Sequence, residues 1–201
     1  MIAKTEKAHS RRGTLLRFAV TGLVLVLWFW TQSLIGARAL PAAGLYDEIH
    51  QLTAPLNTYL YEHAGAADAL LIFSSAIIDS MAVFLLGSWL LGGSVRPFLG
   101  LVILIGLRQL MQALCALPTP PNMIWRYPGF PSLLVTYGVG NDYFFSGHTA
   151  IAVLGATQLA RYGRRWLTGL AIGVVVFEVT TVLALRAHYT MDVFAGIVAA
   201  L

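Results

Sequence analysis

Stretches of about twenty mostly apolar residues recur along this chain, and nothing else in it limits the possible fold so strongly, because that length is what a helix needs to cross a bilayer. Six candidate segments can be placed: roughly Leu15 to Gly36, Ala67 to Leu91, Pro97 to Leu117, Phe144 to Tyr162, Trp166 to Leu185, and a last one beginning near Tyr189. They consume nearly all of the 201 residues, so a separate soluble domain is excluded. With 58% hydrophobic residues, 11% charged residues and a mean hydropathy of +0.74, most of the chain is expected to have lipid as its solvent. The expected fold is an all-α bundle of six transmembrane helices.

The last segment has only Tyr189 to Leu201. At about 1.5 Å per residue it reaches roughly 20 Å of an apolar layer near 30 Å thick. Either the chain is truncated or this helix stops partway. At the other end, Lys4, Lys7, Arg11 and Arg12 precede the first apolar segment as a secretory signal would. The apolar core is too long for one and no cleavage signature is clear, so residues 1–14 are expected to be a basic cytosolic tail before a retained anchor. Residues 15–201 then form a single membrane domain.

The net charge of +4 does not point to nucleic acid, because the cations cluster in alternate loops. With a cytosolic N-terminus, Arg96, Arg161, Arg164 and Arg165 fall on the cytosolic side, and only Arg38, Arg126 and Arg186 lie outside. That distribution satisfies the positive-inside rule. It puts Asp47, Glu48, Glu62 and Asp68 outside as well. In the first outer loop Leu45, Ile49, Leu52, Leu56 and Leu60 recur at helical spacing while Asp47, Glu48 and Gln51 lie elsewhere around the turn, the pattern of an interfacial helix. It could be a lid or a plain connector. The run from Leu117 through Pro118, Pro120 and Pro121 to Pro131 cannot be regular helix. It is expected to be an outer loop, with Trp125 and Tyr127 at the headgroup layer.

Cys115 is the only cysteine, so no disulfide framework or cysteine-based metal site can be built. There is no repeat and no glycine-rich phosphate loop. The chemistry must come from side chains.

Two polar clusters interrupt the apolar sequence: Asn141 to Thr149, and Arg186 to Asp192. Topology brings both to the outer face. His188 and Asp192 are four residues apart, one turn on a helix, where the carboxylate could keep one ring nitrogen protonated and leave the other as a nucleophile. His148 arrives at the same depth from another helix and could protonate a departing oxygen. For the charge that develops in phosphoryl transfer, Arg186, Arg126, Ser146 and the amides near Gly147 are candidate donors, with glycine allowing close backbone approach. A lone histidine at a helix end is ordinarily a satisfied polar residue. Two histidines and an aspartate beside membrane segments are costly and mark function. Zinc or iron ligation is disfavoured because no histidine pair has helical ligand spacing. No metal and no organic cofactor are expected.

The block Ser146-Gly147-His148 together with His188 and Asp192 resembles the type 2 phosphatidic acid phosphatase superfamily. Within it the chain looks most like the sphingomyelin synthases and phosphatidylcholine:diacylglycerol cholinephosphotransferases, which carry a Gly-Asp-(aromatic)-x-Phe-Ser-Gly-His-Thr type block and a His-Tyr-Thr-x-Asp block. Here these read Asn141 to Thr149 and His188 to Asp192. The resemblance implies that His188 attacks phosphorus to form a phosphohistidine, that Asp192 supports it, and that His148 handles the leaving-group and acceptor protons. It makes Asp142, Tyr143 and Tyr189 expected substrate contacts.

Lipid phosphatases share a Lys-x6-Arg-Pro block, a proline before Ser-Gly-His and an arginine six residues before the second histidine. Here Trp89 stands where the lysine would precede Arg96-Pro97, and Phe145 and Val182 fill the other two positions. The implied activity is therefore transfer of a phosphoalcohol, phosphocholine or phosphoethanolamine, from a phospholipid donor to diacylglycerol or ceramide. A lipid phosphate phosphatase is the alternative enzyme, and a lipid transport or assembly subunit the alternative outside catalysis.

Charges also lie deep inside the spans. Arg108 and Glu178 fall at matching depth, so an Arg108–Glu178 pair is expected, with Asp79 as the competing partner and Arg108 as the floor of a head-group chamber.

Overall fold

The computed structural model describes residues 2–37, 45–138 and 143–201. Among these the chain is helical, without strands: α1 (Ile2–Gly36), α2 (Glu48–Leu52), α3 (Ala54–Glu62), α4 (Ala64–Leu90), α5 (Val95–Leu114), α6 (Gly147–Ala160), α7 (Arg165–Ala184) and α8 (Thr190–Ala200). Four of them carry segments long and apolar enough to cross a membrane, Arg12–Leu34, Ala64–Leu90, Val95–Leu114 and Arg165–Ala184. The protein is accordingly a multi-pass membrane protein. α6 and α8 occupy the other two expected spans but are shorter, 14 and 11 residues.

α6 is the centre of the bundle, lying against α4, α5, α7 and α8. Every residue from His148 to Gly155 is buried, which is why this helix carries no polar face and shows no amphipathic period. Its apolar side chains Ile151 and Leu154 join Ile78 and Leu85 of α4 and Leu101 and Leu104 of α5 in the main core. α1 contributes one stripe only, through Thr21, Trp28 and Gln32 at near-helical intervals, while Leu16, Leu23, Phe29 and Trp30 face outward. α8 approaches the start of α6 so closely that a Cβ on Gly196 would stand 2.7 Å from the Ser146 carbonyl oxygen. Only glycine fits there.

The segment expected as one interfacial helix folds as two short helices. Thr53 ends α2 and begins α3, with Pro55 in the first turn where its missing N–H is not needed. His50, Asn57 and Leu60 are buried, so the pair lies against the bundle through α4 and α7. From Cys115 to Gly138 the chain is irregular, as the prolines require. Up-and-down succession brings α2, α3, this loop and the starts of α6 and α8 to one end of the bundle.

Candidate active site

α7 ends in a Schellman motif. The Ala187 N–H donates to the Val182 carbonyl at 2.9 Å and the Arg186 N–H to the Leu183 carbonyl at 3.1 Å, with Arg186 in the left-handed region at φ 53°. Glycine usually fills that position, and an L side chain there costs about 1–2 kcal/mol. The Arg186 guanidinium offsets this by donating to the Pro121 carbonyl at 2.9 Å and the His50 carbonyl at 3.1 Å. Arg186 is thus buried structural scaffolding and does not line the cavity that holds the histidines. The Ile124 N–H donates to the Leu185 carbonyl at 2.8 Å and the Asn57 amide to the Ala184 carbonyl at 2.9 Å, closing the turn on its other sides.

His188 lies in the two-residue link between Ala187 and α8. Its Nδ1 is 2.7 Å from the Tyr143 carbonyl oxygen, which can only accept, so Nδ1 carries the hydrogen. Nε2 is then the nitrogen with the lone pair. Asp192 was expected to hold the ring directly, but its Oδ2 stands 3.8 Å from Nδ1 and accepts the Tyr189 N–H at 2.9 Å. The carboxylate holds the turn through the backbone, because a carbonyl reaches the ring first.

His148 is in the first turn of α6, and Ser146 caps that helix by accepting the Thr149 N–H at 3.3 Å. The capping role buries Ser146 behind the cavity wall, where it does not reach the lining. The Ser146 N–H donates to the Asp192 carbonyl at 3.0 Å, tying the two helix starts together. His148 and His188 line one cavity, joined on its wall by Arg108, Trp28, Trp125 and Tyr143. Trp125 meets the His148 ring edge-on, centroids 5.1 Å apart and planes at 87°, while its own Nε1–H donates to the Thr136 carbonyl at 3.2 Å. Nε2 of His148 is buried with no hydrogen-bond partner among the described residues.

Arg108 is on that wall as expected. Its Nε donates to the Phe145 carbonyl at 3.2 Å and its Nη1 to the side-chain oxygens of Gln32 and Gln112, each at 3.3 Å. A Cβ on Gly147 would come within 3.1 Å of Arg108 Nε, so the close approach that this glycine allows is to the arginine. The expected Arg108–Glu178 pair does not form. Glu178 Oε2 accepts from the Ser74 hydroxyl at 2.6 Å, and Asp79 accepts the Leu133 and Leu134 N–H groups at 2.7 and 2.9 Å. Matching depth did not suffice, since the two side chains leave their helices toward different neighbours.

Arg126 also lies away from the cavity, exposed and paired with Asp68 at 2.6 Å. An ion pair this open contributes about 0.2–1 kcal/mol. Tyr189 is buried beneath His50, ring centroids 5.5 Å apart, and is outside the lining too. Tyr143 lines the cavity, and its hydroxyl donates to Thr119 at 3.2 Å. Asn141, Asp142 and Arg38 lie outside the described residues. Among the described residues no three His, Cys, Asp or Glu side chains gather as metal ligands.

The sequence profile of the family described as AtPDCT1/2 matches residues 46–201, most of the chain and both polar blocks. The chain is 23% identical over 168 residues to a phosphatidylcholine:diacylglycerol cholinephosphotransferase 1 of Arabidopsis thaliana, covering 84% of this chain and 53% of that protein. It is 35% identical over 82 residues to a phosphatidylinositol:ceramide inositolphosphotransferase 3 of the same plant, covering 40% of this chain and 28% of that protein. The chain thus spans about half the length of the first relative and less of the second. No solved structure matches it.

Proposed function

From the premise that the chain belongs to the AtPDCT1/2 family, we propose that it moves a phosphoalcohol head group from a phospholipid to a lipid alcohol through a phosphohistidine at His188. The observation that carries this reading is the pairing of two histidines on one cavity wall, one of them with Nδ1 committed to a carbonyl. His188 Nε2 attacks phosphorus, and the bond from phosphorus to the glyceride oxygen breaks. His148 delivers a proton to that oxygen, and the first lipid alcohol leaves. The acceptor hydroxyl, of diacylglycerol or ceramide, then gives its proton to His148 and attacks phosphorus. The N–P bond breaks and His188 is restored. Arg108 faces the phosphoryl oxygens, and the Asp192 charge stabilises the ring as it becomes positive.

The relatives differ in head group, choline in one name and inositol in the other, and in acceptor, diacylglycerol in one and ceramide in the other. Apolar side chains such as Ile78, Leu104 and Ile151 make up much of the cavity wall around the two histidines and limit water there, which protects a phosphohistidine that must wait for a lipid acceptor. The rest of the proposal is topological: α6 and α8 as the fourth and sixth crossings, a cytosolic N-terminus, and the cavity opening to the outer or lumenal leaflet. The distribution of Arg96, Arg161, Arg164 and Arg165 supports it.

The test uses purified protein in detergent, phosphatidylcholine labelled in its choline, and diacylglycerol or ceramide. Label is expected in a new lipid, and His188→Ala is expected to bring the rate to background. Label released only as water-soluble phosphocholine would replace transfer by hydrolysis, and no reaction with any donor would favour a transport or assembly role.

A further inference from the structure

The segment before α3 crosses the link that carries His188 and is bonded to it and to the residues flanking it, Arg186 to Thr190, at four places. Asp47 Oδ2 accepts the Thr190 N–H at 2.6 Å, and Asp47 Oδ1 accepts the Thr190 hydroxyl at 2.7 Å. His50 Nε2 lies 2.9 Å from the His188 carbonyl oxygen, which makes the ring nitrogen the donor, and the His50 carbonyl accepts from Arg186. Thr190 opens α8, where a backbone N–H has no partner within its own helix, so Asp47 supplies the missing acceptor from 143 positions away. The same carboxylate also caps α2 through the N–H groups of Ile49 and His50. One side chain therefore caps the N-terminal starts of two helices and joins them.

We propose that α2 is a strap whose Asp47 and His50 are positioning residues for the His188 nucleophile. This rests on His188 being that nucleophile. A ring hydrogen bond alone sets only one rotation of an imidazole, and Tyr143 supplies it. The direction in which Nε2 points depends also on where the backbone of residue 188 sits. His50 fixes that backbone at its carbonyl, and Asp47 fixes the residue after next at its amide. Neither side chain lines the cavity, so neither touches substrate. Their effect is on the angle at which Nε2 meets phosphorus, and a displacement of about 1 Å in such an attack costs up to about 100-fold in rate.

The test uses the full chain in detergent with the head-group transfer assay. His50→Ala is expected to lower kcat by about 10–100-fold while the donor KM stays within about twofold and the melting midpoint is kept. His50→Gln, whose amide can donate to the same carbonyl, is expected to recover most of that loss. Thr190→Val keeps the N–H and removes one of the two bonds to Asp47, so it is expected to lower kcat by several-fold; it decides the matter if His50→Ala does not assemble. A wild-type kcat in His50→Ala or Thr190→Val overturns the strap, as does a loss that glutamine does not repair and that follows the melting midpoint. His188→Ala in parallel separates the two readings. If it retains transfer, the nucleophile assignment fails; if it abolishes transfer while the strap variants run at the wild-type rate, only the strap fails.

Discussion

His188 and His148 share a cavity but are held in opposite ways. Around His188 the chain is tied from outside at the Ala184, Leu185 and His188 carbonyls and the Thr190 N–H, by Asn57, Ile124, His50 and Asp47, and its ring nitrogen is bonded to Tyr143. His148 has a tryptophan edge against its ring and an unbonded Nε2. The contrast fits the two tasks proposed for them. A nucleophile that forms and breaks one bond at one phosphorus gains from rigidity. A group that hands a proton to one lipid oxygen and takes it from another needs a nitrogen free of permanent partners.

The sharpest way to break that contrast is to separate attack from proton transfer. His148→Gln is expected to lower the transfer rate by about 10²–10⁴-fold with phosphatidylcholine. A donor carrying a nitrophenolate in place of the diacylglycerol oxygen needs no proton to leave, so label transfer to His188 from that donor should be largely restored in His148→Gln, measured as the burst of nitrophenolate. His188→Ala should give no burst with either donor. Equal loss of both steps in His148→Gln would contradict the division of labour.

A second variant tests the distance between the two sides without touching either histidine. Gly196→Ala puts a methyl group 2.7 Å from the Ser146 carbonyl, a backbone atom that can only yield by α8 moving from α6. Since the Ser146 N–H is bonded to the Asp192 carbonyl, both histidine-bearing segments shift together or come apart. A shift near 1 Å is expected to lower kcat by up to about 100-fold. Wild-type kinetics in this variant would mean that the spacing of α6 and α8 is not what sets the rate.

The helices and the two polar blocks were legible in the sequence because each depends on local pattern: the length of an apolar run, the proline-rich break, a histidine and an aspartate one turn apart. That His148 and His188 meet followed from topology alone. The partners of those groups were not legible. Any residue offers a carbonyl, so nothing in the sequence distinguishes Tyr143 as the acceptor for His188. Depth along a helix says nothing about direction around it, which is why Glu178 met Ser74 in place of Arg108. Arg186 and Arg126 look like phosphate ligands by charge, yet a Schellman turn and an exposed ion pair take them up. Asp47 reads as the polar side of an amphipathic helix because its partner is 143 residues away, and His50 gives no signal in the sequence because its partner is 138 residues away.

The smallest expected effect concerns the strap alone and is read from stability against pH. Burial raises the Asp47 pKa, but the Thr190 N–H and hydroxyl and the nearby His50 outweigh it and hold the carboxyl below its usual value of 3.8. A carboxyl whose folded-state pKa is depressed stabilises the fold fully above its unfolded value, and that contribution is lost as pH falls through the folded one. The gap in melting midpoint between wild type and Asp47→Asn should therefore be constant from neutral pH to about 5, and should close only below about 4. Closure of the gap well above pH 4 would assign the strap's stability to a group other than the Asp47 carboxyl, and a gap of zero throughout would mean that a neutral amide at position 47 holds Thr190 as well as the carboxylate does.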